Sequence, residues 1–246
     1  MKKTLLTLIA LFGFSATGSA CISCNKEITE GIYNSQFYPN LFTMLSGFIV
    51  LAIIVAILTT ISAKKHEKKL AANPNVQLLS PVPLTTASMV FGIGIGGFID
   101  GIVLHQIFQV HEMLSNKIPA TDYIGKSINM FWDGIFHFFC MLVVLTGIIL
   151  MWKLLFRKDV DRSGKLLGGG LLLGWGLFNI VEGLINHQIL KLHNVIELSP
   201  NHDIGNYTFL GISAVMLIVG YLIVNQSNET KSTRGKMKYD PGNKKN

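Results

Sequence analysis

Five stretches of this chain are each long and apolar enough to cross a bilayer, and that limits its fold more than any other feature. They run from about Leu41 to Ser62, Pro83 to Phe108, Ile128 to Trp152, Leu166 to Leu190 and Tyr207 to Val224. About 20 apolar residues in a helix cover a hydrocarbon core of about 30 Å. In lipid every backbone amide must be satisfied within the chain, so spans of this length fold as helices. The expected fold is all-α, a polytopic membrane bundle of five transmembrane helices. Composition agrees, since only 14% of residues are charged against about 25% in soluble domains. The 24 glycines suit the close helix contacts found in membranes.

The first 20 residues carry a different signal. Lys2 and Lys3 precede an apolar core from Leu5 to Phe14, and Gly18-Ser19-Ala20 offers a small-residue cleavage site. That is the build of a secretory signal peptide over 1–20, with Cys21 as the first mature residue. The remaining chain divides into a short external segment over 21–40, a first transmembrane helix over 41–63, a four-helix domain over 82–225 and a disordered basic tail over 226–246.

The basic residues set the expected orientation. Lys64, Lys65, Lys68 and Lys69 follow the first span, and Lys153, Arg157, Lys158, Arg162 and Lys165 follow the third. Lys231, Arg234, Lys236, Lys238, Lys244 and Lys245 lie in the tail, whereas the opposite side has only Lys26, Lys117, Lys126 and Lys191. The richer side is cytoplasmic by the positive-inside rule, which puts the mature N-terminus outside and the C-terminus inside a bacterial plasma membrane. The net charge of +7 is therefore a topology signal in short loops rather than a nucleic-acid-binding face.

The second and fourth spans share a pattern 82 residues apart. Asp100-Gly101 with His105-Gln106 and His111 recurs as Glu182-Gly183 with His187-Gln188 and His193. Both spans run from inside to outside, so the repeat is parallel. The third span carries a shorter relative of it, Asp133-Gly134-Ile135-Phe136-His137, and the fifth span has neither acid nor histidine. A site built on this repeat is asymmetric. Pro83 to His105 and Lys165 to His187 each span ~33 Å of helix, which puts both histidines at the outer edge of the hydrocarbon. Asp100 and Glu182 lie about 7.5 Å deeper, and Asp133 and His137 enter the same layer from outside. His111 and His193 are expected above them at the outer mouth.

Ionised carboxylates in hydrocarbon are costly, by ~3 kcal/mol each on insertion scales. No Lys or Arg inside a span pairs with these acids, so a cation is the natural partner. Imidazole with carboxylate suits zinc, iron, manganese or copper(II), and bundle proteins commonly split a metal ligand set between helices. The expected ligands are His105, His137 and His187, with Asp100, Asp133 and Glu182 as ligands or as acceptors behind them. His111 and His193 form an outer pair that admits the ion. A buried hydrogen-bond network or a proton path is the plainer alternative. Haem held by two histidines is a lesser one, since the chain has no haem attachment motif. Asp100 and His105 are five apart, about 140° around a regular helix. They share a face only if the turn opens into a π-bulge, which Gly101 and Gly183 would ease.

Other signals are weaker. Cys21-x-x-Cys24 reads as a disulfide outside the membrane, or as a soft-metal site. Cys140 reads as core filling, His66 as solvated and His202 as surface. Met113 and Met130 flank the outer mouth.

The stretch Gly96 to His111, the element Asp133 to His137, and Gly174 to Gly183 followed by His187 and His193 resemble a bacterial membrane-protein family catalogued as domain of unknown function 2243. The resemblance covers about Val82 to Val224, and residues 21–63 stand ahead of it. Glu112 departs from the pattern, because members often carry a second histidine there. Members often lie near genes for copper assembly of terminal oxidases, which implies metal handling and respiratory or metal-handling membrane proteins as partners beside the lipid bilayer. The leading expectation is a protein that binds a transition metal ion (Cu, Zn or Fe) at the outer side of its bundle. A membrane-embedded metal-dependent hydrolase or oxidoreductase acting on a lipid-like substrate is the first alternative. A proton or metal transporter is the second, weakened by the few polar residues in the inner halves of the spans.

Overall fold

A computed structural model describes residues 25–72, 74 and 78–238, with side chains described to residue 226. The signal peptide and the Cys21-x-x-Cys24 pair read from the sequence lie outside the described residues. The described residues form six helices and no strand: α1 Lys26–Ile32, α2 Phe37–Ala71, α3 Val82–Ile99, α4 Tyr123–Leu154, α5 Gly164–Glu182 and α6 His202–Lys238. Five of these, α2 to α6, are long and apolar enough to cross a membrane.

Local chemistry sets the helix starts. The Asn25 carboxamide accepts from the amides of Glu27 and Ile28 at α1, the Asp122 carboxylate from Gly125 at α4 and the Ser163 hydroxyl from Leu166 at α5. Such caps satisfy amides that have no partner within the helix. At the end of α4, the Arg162 guanidinium donates to the carbonyls of Leu154, Leu155 and Arg157, which are the acceptors a helix C-terminus leaves open.

Burial separates a centre from a periphery. In the most apolar windows of α3 and α5, 56% of residues are buried, against 17% for α2 and α4 and 11% for α6. The two motif-bearing helices therefore form the middle, flanked by α4 on one side and α6 on the other. Exposed Ile49, Ile53, Ile57 and Ile61 line the outer face of α2, as expected of a helix turned toward lipid tails. Glycine sets how closely α3 and α5 approach. A Cβ at Gly92 would collide with the Leu171 carbonyl, and one at Gly174 with the Met89 carbonyl. Ser88, fully buried between them, returns its hydroxyl to the Leu84 carbonyl.

Both central helices change character at the same point. After Ile99, α3 continues as a π-helix over Asp100–Ile107, and after Glu182, α5 continues as one over Gly183–Ile189. Each ends in a left-handed residue, Gln109 (φ 51) and Lys191 (φ 49), which are 82 positions apart. The closing bonds correspond as well: Phe108 to Val103 and Val110 to Leu104 in one, Leu190 to Ile185 and Leu192 to Asn186 in the other. The left-handed residue turns each chain back over the end of the bundle, which brings His111 and His193 inward.

Candidate metal centre

The π-helical turns assemble the cluster. Hydrogen bonding from residue i to i+5 widens the turn and brings residues five apart onto one face. His105 Nε2 accordingly lies 3.2 Å from Asp100 Oδ2, and His187 Nε2 lies 2.8 Å from Glu182 Oε1. The folded-back chains add His111 Nε2, 3.9 Å from Asp100 Oδ1, and His193 Nε2, 3.5 Å from Glu182 Oε1. All six residues are buried, none more than 4% exposed.

Their outer nitrogens are held from behind in one half of the cluster. His105 Nδ1 is 2.8 Å from Asp133 Oδ1, and His111 Nδ1 is 2.9 Å from the Val195 carbonyl. Each contact fixes the proton on Nδ1 and turns the Nε2 lone pair into the cluster, as the orienting partners of metal-bound histidines do. Among the described residues Nδ1 of His187 and Nδ1 of His193 have no such partner, and Phe209 packs against the His187 ring. The asymmetry comes from the third span, which supplies Asp133, while α6 supplies no acid at the corresponding place.

The inward atoms have no hydrogen-bond partner outside the cluster among the described residues, and their short contacts are to one another. They are Nε2 of His105, His111, His187 and His193 and both oxygens of Glu182. No Lys or Arg comes within ion-pair distance of Asp100, Asp133 or Glu182 among the described residues; their short contacts are to histidine. Two groups have the spacing of a metal site: His105, His111 and His193, and Glu182, His187 and His193. Within each group the ligand atoms lie within 4.8 Å of one another.

Above the cluster the two returning loops lock together. Asn116 N–H donates to the Leu192 carbonyl and Glu197 N–H to the Val110 carbonyl. The Glu197 carboxylate accepts from Ser115 Oγ and Asn194 N–H, both within 2.9 Å. The buried Asn129 of α4 accepts from Leu114 N–H and donates to the Ile118 carbonyl. Met113, Leu114 and Leu192 of this cover are each at most 1% exposed and belong to the main buried apolar cluster. His111 and His193 thus lie beneath a closed cover, whereas the sequence reading put them at a mouth. Burial and the neighbouring His105 push the His111 imidazole down to about 3. Burial and the surrounding imidazoles hold His193 well below its ordinary value. Both rings are neutral, the form that binds metal.

The expected ligands therefore fall into three roles. His105, His111, His187, His193, Asp100 and Glu182 converge. Asp133 stands behind His105 and also accepts from Met113 N–H at 3.1 Å. His137 stacks on Phe98 with its Nε2 against Gly101, and belongs to neither three-ligand group. Asn206 accepts from Val195 N–H and donates to Asn194 Oδ1; like Asn129 and Glu197 it gave no sequence signal, because these bonds depend on how the loops fold back. Cys140 is fully buried against Gly97, Met113 is packed in the cover and Met130 is exposed.

Five apolar helices around a buried histidine and carboxylate cluster are the fold of a multi-pass membrane protein. Over residues 87–227 the chain matches the family described as predicted membrane protein (DUF2243), and it belongs to that family. No curated protein and no solved structure matches it.

Proposed function

We propose that this protein binds a transition metal ion (copper, zinc or iron) in the cluster of α3 and α5. The observation that carries this reading is the set of buried ligand atoms of His105, His111, His187, His193 and Glu182, which face one another beside Asp100 and meet no hydrogen-bonding group outside the cluster among the described residues. Leaving such groups buried without partners costs about 1–3 kcal/mol each, and more when they are charged. A cation satisfies them together and offsets the carboxylate charge in a region without Lys or Arg. The positive-inside pattern of the loops supports a cluster on the outer side of a bacterial plasma membrane. The closed cover favours holding or handing over an ion above repeated turnover of a bulky lipid substrate. Metal handling or assembly of a respiratory complex is the role that fits, with membrane proteins of those systems as partners.

The test is elemental analysis of the full chain, purified in mild detergent without a histidine tag. Near-stoichiometric copper, zinc or iron is expected, falling sharply in His105→Ala and His187→Ala. Metal-free protein that stays folded and takes up none of these ions on addition would remove the reading and leave a hydrogen-bonded or proton-carrying network.

A further inference from the structure

The cluster contains two sets of ligands. Each π-helical turn with its returning loop supplies one carboxylate and two imidazoles: Asp100, His105 and His111 from α3, and Glu182, His187 and His193 from α5. Two histidines and one carboxylate are a sufficient set for one transition metal ion with open positions. Resting on the metal reading above, we infer that the protein holds two ions side by side, one on each set.

Distances support a pair over a single ion. An ion about 2.1 Å from its ligands places neighbouring ligand atoms about 3.0 Å apart in octahedral geometry and about 3.4 Å apart in tetrahedral geometry. The carboxylate-to-imidazole distances are 3.2 and 3.9 Å in the first set and 2.8 and 3.5 Å in the second. Asp100 reaches its two histidines with different oxygens, Oδ2 toward His105 and Oδ1 toward His111, as a carboxylate does when an ion sits across both. Glu182 uses Oε1 for both of its histidines and leaves Oε2 buried without a partner. Glu182, His187 and His193 offer ligand atoms within 4.8 Å of one another, and so do His105, His111 and His193; Asp100 joins the first set through its own contacts to His105 and His111. His193 is near enough to belong to either, which puts the two sets side by side; its 3.5 Å contact to Glu182 assigns it to the second. His111 and His193 stack at the boundary, with ring centroids 4.7 Å apart. Paired ions in proteins stand about 3.5–4 Å apart, a separation that suits the two ends of one reacting or transferred group.

The experiment is zinc(II) stoichiometry of the full chain in detergent, stripped with chelator, re-equilibrated by dialysis and measured by elemental mass spectrometry. Two zinc ions per chain are expected. Asp100→Asn with His111→Ala should bind one, Glu182→Gln with His193→Ala should bind one, and the four changes together none. One zinc in the unaltered chain overturns the pair while leaving the metal reading standing; none overturns both. A second readout does not depend on the variants folding. Copper(II)-loaded unaltered protein should show the half-field resonance of a magnetically coupled pair, and an isolated copper(II) spectrum at full loading would overturn the inference.

Discussion

The imidazoles of His111 and His193 lie face to face, with ring centroids 4.7 Å apart and planes within 6° of parallel, although 82 positions separate them. Neither side chain is on a regular helix. Each arrives from a loop reversed by a single left-handed residue, Gln109 or Lys191, so their stacking depends on two backbone reversals landing in register.

These two rings give the metal-free protein an acid-sensitive window. Unfolded, both take up a proton near the ordinary histidine value of 6.5; folded, His111 does so only at about 3 and His193 also well below its ordinary value. Between these limits the unfolded chain binds more protons, so folding stability falls as pH drops. The penalty is absent above 6.5 and grows as pH falls toward 3. Chelator-treated protein should therefore show a melting temperature that declines through this range, and His111→Gln should flatten the decline. A melting temperature unchanged between pH 7 and 4 would contradict the burial of neutral rings.

Asp133 should act through His105. Asp133→Asn keeps the shape but weakens the acceptor that fixes the imidazole proton on Nδ1. Partners of this kind typically contribute about 10–100-fold to metal affinity. Competition against a chelator of known strength should show a loss of that size, with the number of ions bound at saturation unchanged.

The cover rests on Asn129. Its carboxamide accepts from Leu114 N–H at 2.8 Å and donates to the carbonyls of Ile118 and Gly125. Asn129→Leu removes all three bonds, and each buried partner left unsatisfied costs about 1–3 kcal/mol. Amide hydrogen exchange over residues 111–118 should accelerate by at least tenfold, while exchange in the middle of α5 should not change.

Close approach of the central helices gives a contrast between two glycines. Gly174→Ala places a methyl against the Met89 carbonyl, and such overpacking costs about 1–3 kcal/mol. Gly134 faces open space, so Gly134→Ala should gain up to about 1 kcal/mol from helix propensity. Thermal unfolding in one detergent should move the two variants in opposite directions.

The spans were legible because apolar length is a local property, and the ligands were legible because acids and histidines are rare in such helices. The π-turns were legible only as a condition: residues five apart share a face in no regular helix, so Asp100 with His105 demanded either different neighbours or a wider turn. Three features left no mark in the sequence. The reversals occur at Gln109 and Lys191, where no glycine or asparagine signals a left-handed residue. His137 shares a helix face with Asp133 by spacing, yet its ring fills the space above Gly101, a contact set by how α4 meets α3. The Val195 carbonyl that orients His111 belongs to the backbone and has no side-chain signature.

The sealed cover also governs time. With Met113, Leu114 and Leu192 buried along with the histidines, a solute reaches the cluster only when the loops breathe open, and local openings of this kind have their own rate. Uptake should therefore climb with ion concentration only until it meets that rate and then level off. Release should follow the same clock, so the residence time of a bound ion is set by loop motion together with ligand strength.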